Sequence, residues 1–408
     1  MNLTLLEILR CPFCGTRLAI VDNDALRRDG DEIESAVLGC ECCAFPVVAG
    51  IPVLIADDAT REAMHTLEAG RPDEALFMLL GLDQARRSAF RELLARGDAL
   101  TYRDAVAVLS PDAEGTYFVY RFSDPTYVMA EVVLDAVARH PAVTRGRVLD
   151  LCGGSGHLSR VLDPVAPGRG VLADLFYFKL WLARRFTTPG IAAICCDGNN
   201  PLPFERDTFS LVVLSDAFPY IWHKRMLTDE MMRLAGRDGT IVMPHLHSAL
   251  GENFSPGMPL TPAAYRDLLA PHQPRLFSDR ELFDDAVARG AVDLSQPMTP
   301  EGLGDQPSLT IVASPHDAIF QHYGPMPVAP VRGVLGVNPL YRVEVQDGSQ
   351  ALTLEFPTEE YAEEFADCRR YLADRLTLPR ELTPAALGRE YESLRRRRIV
   401  LDLPRHYL

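Results

Sequence analysis

The chain has 408 residues, 47% of them hydrophobic and 24% charged, which is typical of a soluble globular protein of two or three domains. Its formal net charge of -15 disfavours long-range attraction to phosphate polymers, so we do not expect a nucleic-acid partner. No apolar stretch approaches the ~20 residues that cross a bilayer, and the first residues lack the basic leader of a secretory signal. We therefore expect a cytoplasmic protein with no membrane partner.

The nine cysteines of such a chain are more consistent with thiols or metal ligands than with disulfides. Cys11 and Cys14 form one C-x-x-C pair, and Cys40 and Cys43 form a second. Two such pairs bring four thiolates to one tetrahedral site, which is the arrangement that zinc prefers. Cys42 is an alternative fourth ligand, and we favour Cys43 because C-x-x-C is the usual knuckle spacing. The sequence therefore predicts a zinc site.

Two segments within residues 3–55, LLEILRCPFCGTRL and FPVVAGIPVLI, resemble a known family. The family is the small zinc-ribbon activator of tRNA- and protein-methyltransferases, with its free-standing bacterial relatives. The resemblance implies a ribbon over residues 1–56 that packs on a methyltransferase or a partner and does no chemistry itself. Its zinc would accordingly be structural.

Residues 57–145 carry apolar side chains at three- and four-residue spacing, which predicts a helical cap or lid region. Within it, residues 116–127 read TYFVYRFSDPTY, an aromatic-rich stretch with one arginine. One interpretation is a cap that packs these aromatics into a core. The other is a lid over a bound cofactor, with Tyr120 or Arg121 near a cofactor carboxylate.

Strands and helices alternate from Arg147 onward, beginning with RVLDLC, GVLAD, IAAICCD, SLVVLSD and GTIVMPHLH as strands. Alternation with short connections predicts an α/β domain with a doubly wound, Rossmann-like parallel sheet over residues 146–316. PRLFSDRELF and SLTIVAS supply the sixth and seventh strands, the last antiparallel. Residues 317–408 form a C-terminal α+β extension, in which PLYRVEVQDGSQALTLEF reads as a hairpin followed by helical segments.

Three acids stand at the ends of the first three strands of this sheet, namely Asp150, Asp174 and Asp197. The carboxyl ends of parallel strands are where open α/β sheets bind ligands. An acid that closes the second strand is placed to accept hydrogen bonds from the two hydroxyls of a ribose. This arrangement fits either a dinucleotide or S-adenosylmethionine.

The turn after the first strand, D-L-C-G-G-S-G, separates these two ligands. A dinucleotide site has the pattern G-x-G-x-x-G and leaves the helix N-terminus free for a pyrophosphate. Here Asp150 precedes the turn, which is repulsive beside two phosphates and favourable beside an ammonium or sulfonium group. The turn resembles motif I of the class I, seven-strand methyltransferases, in the D-x-G-G-G-x-G form common among small-molecule O-methyltransferases. Cys152 stands at the first glycine of that form.

The resemblance covers residues 146–250, where CDGNNPLPFERDTFSLVVLSDAF is similar to the family's D-x-x-x-L-P-F-x-x-x-x-F-D stretch. It implies an S-adenosylmethionine-dependent methyltransferase. The family's glycine turn, its ribose-binding acid, its adenine-flanking residues and the end of its fourth strand all have counterparts at matching places in this sequence. The implied cofactor-binding residues are Asp150, Cys152, Gly153, Gly154, Gly156, Asp174, Leu175, Asp197, Gly198 and Ser215.

A hydroxyl acceptor needs a base, and His223, His245 and His247 follow the fourth and fifth strands. We favour His245 and His247 as catalytic residues because imidazole titrates near neutrality. The amide- and base-nitrogen methyltransferases have a paired-proline stretch after the fourth strand, and SDAFPYI lacks it. We therefore expect a small-molecule acceptor methylated at oxygen or nitrogen. The alternatives are an RNA or protein methyltransferase and a non-catalytic scaffold that binds S-adenosylmethionine.

Overall fold

The structure is a computed structural model that describes residues 1–254 and 257–408. In chain order, the strands are β1 Ala19–Ile20, β2 Arg27–Asp29, β3 Glu32–Gly39, β4 Ala44–Val48, β5 Ile51–Pro52, β6 Arg147–Leu151, β7 Gly170–Asp174, β8 Ala192–Cys195, β9 Phe209–Val213, β10 Thr240–His247, β11 Pro274–Ser278, β12 Val292–Asp293, β13 Ser308–Ala313, β14 His322–Tyr323, β15 Val334–Val337, β16 Tyr341–Gln346, β17 Ser349–Leu354, β18 Arg375–Pro379 and β19 Val400–Leu403.

In chain order, the α-helices are α1 Asp58–Glu68, α2 Pro72–Leu79, α3 Gln84–Leu94, α4 Tyr102–Leu109, α5 Ala113–Tyr120, α6 Pro125–Val137, α7 Pro141–Thr144, α8 Ser159–Leu162, α9 Tyr177–Leu182, α10 Lys224–Ala235, α11 Pro262–Leu268, α12 Asp279–Arg289, α13 Pro300–Leu303, α14 Glu359–Glu364, α15 Pro384–Leu387 and α16 Tyr391–Arg396. Among the described residues, no helix combines the length and apolarity that a bilayer crossing requires.

A seven-stranded sheet in the order β11-β13-β10-β9-β6-β7-β8 forms the centre of the molecule. The neighbouring pairs from β10 to β8 are parallel, and β13 runs antiparallel to both β10 and β11. Every residue of β7 and β13 is buried, because helices cover both faces of the sheet. The predicted fold class is confirmed, including the antiparallel seventh strand. The chain reverses its winding between β6 and β9, which opens a crevice at their carboxyl ends.

A β-bulge interrupts β10 near its carboxyl end. Met243 pairs with Ile311 and Leu246 pairs with Leu309. Between these two pairs β10 has two residues and β13 has one, so β10 contains one extra residue. His245, inside the bulge, has a left-handed φ of 56°. Met243 and Leu246 both pack into the core on one face of the sheet, which an unbroken strand would not allow. The extra residue therefore turns His245 and the residue two places later to the opposite face.

Helix α6 packs on that opposite face, against β10 and α12. Asp124 caps its N-terminus by accepting a hydrogen bond from the backbone N–H of Tyr127 at 2.7 Å, and Pro125 supplies the fixed φ that suits the first helical turn. The helix then buries a continuous apolar surface that includes Ala130, Val133 and Leu134. The predicted helices of the cap region are present.

The N-terminal module lies against β8, the edge strand of the central sheet. Its own strands have the order β1-β3-β4-β5, with β2 paired to β3. Val53 forms a parallel bridge with Cys195, and the N–H of Leu54 donates to the carbonyl of Cys195 at 2.7 Å. Arg10 forms an ion pair with Glu205. The module thus pairs with backbone groups that an edge strand would otherwise leave open.

The C-terminal extension contains the predicted hairpin, formed by β16 and β17, and β18 adds a third strand. The four consecutive arginines that follow residue 394 all have partners within the chain. Three donate to the backbone carbonyls of Ala329, Met326 and Tyr371, and Arg398 forms an ion pair with Glu131. This basic run therefore joins the extension to the rest of the molecule.

Tyr407 carries the end of the extension back beneath the turn that follows β6. Its ring stacks on Tyr102, with centroids 4.6 Å apart and planes at 7°. Its hydroxyl lies 2.8 Å from Nε2 of His157 and 2.9 Å from the carbonyl oxygen of Phe118. Tyr102 in turn contacts the hydroxyl of Ser155 at 2.7 Å. A buried polar network thus ties the extension to the turn.

We expect Tyr407→Phe to lower the free energy of unfolding by about 1–3 kcal/mol, because it leaves buried partners of the hydroxyl unsatisfied. Urea unfolding followed by circular dichroism measures the change. Tyr391→Phe, which removes a hydroxyl half-buried beside Arg395, is the matched control and should change stability by less than about 0.5 kcal/mol. Equal effects of the two substitutions would contradict the buried network.

Candidate functional site

The turn after β6 approaches the sheet too closely for side chains. A Cβ on Gly153 would lie 2.5 Å from Cγ of Asp150 and 2.5 Å from Cδ1 of Leu172. Gly154 and Gly156 have left-handed φ values of 57° and 78°. These positions require glycine for space or for conformation, and together they leave backbone exposed to a ligand.

Cys152 has a left-handed φ of 56°, which explains why a glycine suits this position. Its Sγ lies 3.7 Å from the position that a Cβ on Gly198 would occupy. Gly198 is buried, and its missing side chain leaves room for this sulfur. The two predicted residues therefore fit against one another across the carboxyl ends of β6 and β8.

Asp150 lies buried beneath the turn. Its Oδ2 accepts a hydrogen bond from Oγ of Ser159 at 2.6 Å, whereas its Oδ1 is buried without a partner among the described residues. Burial disfavours the ionised form and raises the pKa of Asp150 to about 6. A cationic ligand group near this carboxyl would offset that cost.

Asp174 connects the loops after β6 and β7. Its Oδ2 accepts from the N–H of Gly154 and its Oδ1 from the N–H of Phe176, each at 2.9 Å. Burial raises its pKa from the usual range, against the opposing charge of Lys179. Two carboxylate oxygens offer about four lone-pair sites, so capacity remains for the two hydroxyls of a ribose. Leu175, the next residue, is exposed beside it.

Asp197 and Ser215 stand at the ends of β8 and β9. Both oxygens of Asp197 are engaged, because they accept hydrogen bonds from Asn199 and Asn200 at 2.8–3.1 Å. This carboxylate therefore shapes the loop that holds Gly198. The hydroxyl of Ser215 is buried without a partner in the described part of the chain, so it is free to meet a ligand.

Helix α5 covers the turn. Phe118 lies 3.6 Å from the Cβ position of Gly154, and Glu114 forms a 2.7 Å ion pair with Lys179. Arg121 donates to both oxygens of Asp124, at 2.7 and 2.8 Å, and is buried. The guanidinium of Arg121 is thus already paired with Asp124. The geometry therefore favours the first interpretation, a cap that packs its aromatics into a core, rather than the second, a lid in which Arg121 contacts a cofactor carboxylate.

Asp216, His245 and His247 form an acid–histidine cluster at the carboxyl ends of β9 and β10. One ligand atom from each lies within 4.8 Å of the other two, and Nε2 of His247 is 3.0 Å from Oδ1 of Asp216. The β10 bulge brings both imidazoles to the α6 face, with ring centroids 5.0 Å apart. Tyr117 points its hydroxyl at Asp216, 3.4 Å away, so neighbouring residues of α5 contact the cluster and the glycine turn.

His245 is oriented from behind by Asp279. Its Nδ1 lies 3.0 Å from Oδ2 of Asp279, whose Oδ1 accepts from the hydroxyl of Thr310 at 2.7 Å. Burial lowers the pKa of His245, but the hydrogen bond to Asp279 and the charge of Asp216 outweigh it, so the net pKa is raised. The nearby carboxyl of Glu364 has a raised pKa, from burial and from the charge of Asp216.

Sequence reasoning found both histidines and missed the two acids that hold them. Asp216 closes the predicted fourth strand SLVVLSD, as Asp150 and Asp174 lie at the ends of the first two, so the strand-end acid was an available signal. Asp279 begins α12 and has the local pattern of an ordinary helix-start acid. The third histidine, His223, contacts the carbonyl of Asn199 at 2.9 Å outside the cluster.

Four cysteine sulfurs gather in the N-terminal module, within 4.8 Å of one another, and they belong to Cys11, Cys14, Cys40 and Cys42. The Sγ of Cys40 lies 3.7 Å from that of Cys14 and 3.7 Å from that of Cys42. Tetrahedral zinc with ~2.3 Å bonds separates its sulfurs by ~3.8 Å, so the group is compatible with a zinc ribbon.

The geometry favours Cys42 as the fourth sulfur of this group, whereas the sequence spacing favoured Cys43. The N–H of Cys40 donates to the carbonyl of Cys43 at 2.9 Å and closes a tight turn, at whose exposed tip Cys42 lies. Cys43 instead donates its backbone N–H to the sulfur of Cys40 at 3.2 Å and packs against the core. The four-sulfur group therefore contains Cys40 and Cys42, and Cys43 lies beside it, with its sulfur 3.4 Å from that of Cys42.

No family model matches this chain, and no curated protein matches it. Among solved structures, it is similar to a complex of the Haloferax volcanii Trm112 methyltransferase activator with a protein assigned as a methyltransferase, at 19% identity over 49% of this chain and 95% of that one, with a TM-score of 0.34. It is also similar to a TehB-like S-adenosylmethionine-dependent methyltransferase from Corynebacterium glutamicum, at 16% identity over 46% and 86%, with a TM-score of 0.33.

A third similar structure is the geranyl diphosphate C-methyltransferase of Streptomyces coelicolor, at 13% identity over 45% of this chain and 76% of that one, with a TM-score of 0.33. The fold assignment made above rests on the strand order and direction of this chain.

The buried Asp150 makes stability depend on pH in a defined direction. Its pKa is raised from 3.8 to about 6 on folding, so the folded state binds the proton more tightly. This carboxyl therefore costs no stability below about pH 4 and on the order of 3 kcal/mol above about pH 6. We expect Asp150→Asn to match the wild type in acid and to exceed it by about that amount at neutral pH.

Urea unfolding across this pH range, compared between the variant and the wild type, measures the difference. Asp98→Asn, at an exposed position, is the control and should change stability by less than about 0.5 kcal/mol. A gain for Asp150→Asn that stays constant with pH would show that the carboxyl is not the titrating group.

Proposed function

We propose that the protein is an S-adenosylmethionine-dependent methyltransferase that acts on a small-molecule acceptor, at oxygen or nitrogen. The observation that carries this proposal is the glycine turn between two buried acids. Asp150 lies beneath the turn with an unpartnered oxygen, and Asp174 holds the backbone of Gly154 from the side. A ligand with a positive charge and a ribose would satisfy both acids, whereas two phosphates would be repelled.

S-adenosylmethionine would supply a methyl group on a positively charged sulfur, which makes that carbon open to in-line attack. We assign Asp150 and the backbone of Cys152, Gly153, Gly154 and Gly156 to the amino-acid end of the cofactor. Exposed backbone at these positions can approach a ligand closely because the glycines carry no side chain.

We assign Asp174 to the ribose hydroxyls and exposed Leu175 to one face of the adenine. Asp197 and Gly198 belong at the adenine edge, with Asp197 acting through the loop that it holds. Ser215, whose hydroxyl is buried without a partner among the described residues, lies at the fourth-strand position. These groups bind and orient the donor, and helix α5 above them excludes water.

The acid–histidine cluster is our candidate for the acceptor side. His245 and His247 would act on the proton that a hydroxyl or amine acceptor must lose, which is the catalytic role that the sequence suggested. Asp216 holds His247 through Nε2, and Nδ1 of His247 is buried without a partner in the described structure. Tyr117 of helix α5 borders the cluster, which favours a small acceptor over a polymer.

The four-sulfur group is our candidate for one structural zinc, with Cys11, Cys14, Cys40 and Cys42 as ligands. Its role would be to fold the N-terminal module, because a module of this size has little core of its own. The module's contacts with β8 would then position the loop after that strand, where Gly198 lies.

We expect the protein to bind S-adenosylmethionine saturably and Asp174→Ala to lose at least about ten-fold in affinity, equal to about 1.4 kcal/mol. Gly153→Ala should lose a similar amount, because its Cβ would displace the turn. Cys152→Gly should bind as well as the wild type, since glycine adopts a φ of 56° without strain.

Isothermal titration calorimetry measures these affinities, and circular dichroism checks that each variant is folded. Gly190→Ala is the matched control, because a Cβ there meets nothing within 4 Å. No binding to the wild-type protein would refute the proposed function, and unchanged binding in Gly153→Ala would refute the assigned cradle.

We expect purified protein to hold about one zinc after treatment with a mild chelator, because a four-thiolate site retains zinc strongly. Cys42→Ser should lose this zinc, and Cys43→Ser should keep it. Elemental analysis of the two variants side by side measures the difference. Zinc loss in Cys43→Ser alone would restore the spacing-based assignment, and a folded module without zinc in the wild type would contradict the site.

A further inference from the structure

The acid–histidine cluster has the composition of a metal site as well as that of a proton acceptor. Two imidazoles and one carboxylate converge, with one ligand atom from each within 4.8 Å of the others. Two ligands at right angles on an ion with ~2.1 Å bonds lie ~3.0 Å apart. The 3.0 Å between Nε2 of His247 and Oδ1 of Asp216 equals that separation.

The surroundings of His245 fix it in the orientation that a metal ligand needs. Its Nδ1 contacts Asp279, and Thr310 holds the far oxygen of that acid. With Nδ1 engaged by Asp279, Nε2 is the nitrogen of His245 left to bind an ion. Metal-binding histidines characteristically donate their second ring nitrogen to a carboxylate, which is itself hydrogen-bonded.

His247 adds an independent observation. Its Nδ1 is buried and has no hydrogen-bond partner among the described residues, although buried polar atoms in proteins are nearly always paired. Nε2 of this ring contacts only Asp216 and is the nitrogen that would bind an ion there, because one imidazole cannot present both nitrogens to the same ion. The unpartnered Nδ1 shows that the described protein groups alone do not complete the hydrogen bonds of this ring.

The backbone at the cluster is held in an unusual conformation. Asp216 and His245 both have a left-handed φ of 56°, which costs a non-glycine residue about 1–2 kcal/mol. The β10 bulge and the turn after β9 impose these two conformations, and together they bring the three side chains to one point. Strained residues of this kind concentrate at ligand sites.

We propose that Asp216, His245 and His247 bind a divalent transition-metal ion that holds the methyl acceptor, an inference that rests on the proposed function. Two imidazoles favour Mn²⁺, Fe²⁺, Co²⁺ or Zn²⁺ over Mg²⁺ and Ca²⁺, which prefer all-oxygen sites. Three protein ligands leave positions open on the ion for an acceptor that presents an ionisable hydroxyl.

The ion acts as a Lewis acid and changes no oxidation state. An acceptor hydroxyl bound to it loses its proton to solvent more readily. The acceptor oxygen then forms a bond to the methyl carbon as the carbon–sulfur bond breaks. The electron pair of that bond stays on sulfur, which becomes a neutral thioether. The histidines thereby act on the acceptor's proton through the ion.

Mn²⁺ is the probe, because it binds nitrogen and oxygen ligands and competes poorly for thiolates, which keeps the cysteine group out of the measurement. The full chain, freed of loosely bound metal, is titrated with Mn²⁺ while the signal of free Mn²⁺ is followed by electron paramagnetic resonance. We expect about one bound equivalent per chain and at least ten-fold weaker binding in His245→Gln and in Asp216→Asn. His65→Gln, at an exposed residue of α1, is the control and should bind as the wild type does.

Pulsed electron paramagnetic resonance on the wild-type protein with bound Mn²⁺ gives a second readout that does not depend on a variant's folding. We expect the electron spin echo of bound Mn²⁺ to be modulated by the nuclei of directly bound imidazole nitrogens. Bound Mn²⁺ whose spectrum lacks this nitrogen modulation would overturn the site. Failure of the wild type to bind Mn²⁺, Co²⁺ or Zn²⁺ beyond the cysteine group would overturn it too, leaving His247 as a direct base.

Titration of S-adenosylmethionine into the same samples separates this inference from the proposed function. Retained cofactor binding with no metal binding rejects the ion alone. Metal binding with no cofactor binding rejects the proposed function, and with it the role of the ion in methyl transfer.

Discussion

One buried carboxylate, that of Asp174, holds together the two loops on which the candidate site is built. Its two oxygens accept backbone N–H groups from Gly154 and Phe176, so the turn after β6 and the loop after β7 have one fixed separation. Asp150 supports the turn from below at a distance that leaves no room for a Cβ on Gly153. Both acids are removed from water, and their raised pKa values express the cost of that burial. The protein thus maintains two buried carboxyl groups whose ionisation lowers its stability until a ligand compensates their charge.

Local patterns were sufficient to predict the fold and the glycine turn after β6. Apolar strands that end on Asp150 and Asp174 are visible in a few consecutive residues, and so is the glycine pattern between them. The acid–histidine cluster depends instead on register between strands distant in sequence. Pairing with β13 creates the bulge that turns His245 and His247 to the α6 face. The local signal for that extra residue is Pro244, because a proline within a central strand is found at bulges, but it does not tell which face the histidines take. Likewise, the turn that closes Cys40 onto Cys43 decides which neighbouring sulfur joins the four-sulfur group.

Helix α5 joins the two sides of the candidate site in a way that its sequence did not reveal. Phe118 lies over Gly154, and the preceding residue, Tyr117, reaches Asp216. The charged groups beside them are paired internally, Arg121 with Asp124 and Glu114 with Lys179. Tyr407 supports the same helix from below through the carbonyl of Phe118. Because one short helix contacts both halves, any displacement of α5 alters the glycine turn and the acid–histidine cluster together.

The pairing of Val53 and Leu54 with Cys195 places the N-terminal module on the sheet edge within a single polypeptide. Association of two separate chains at such an edge would follow mass action and weaken on dilution. Covalent connection replaces that equilibrium by an intramolecular one, whose effective concentration for short flexible connections is on the order of millimolar. Occupancy of the edge strand is then independent of protein abundance, and the two parts are always synthesised in equal numbers.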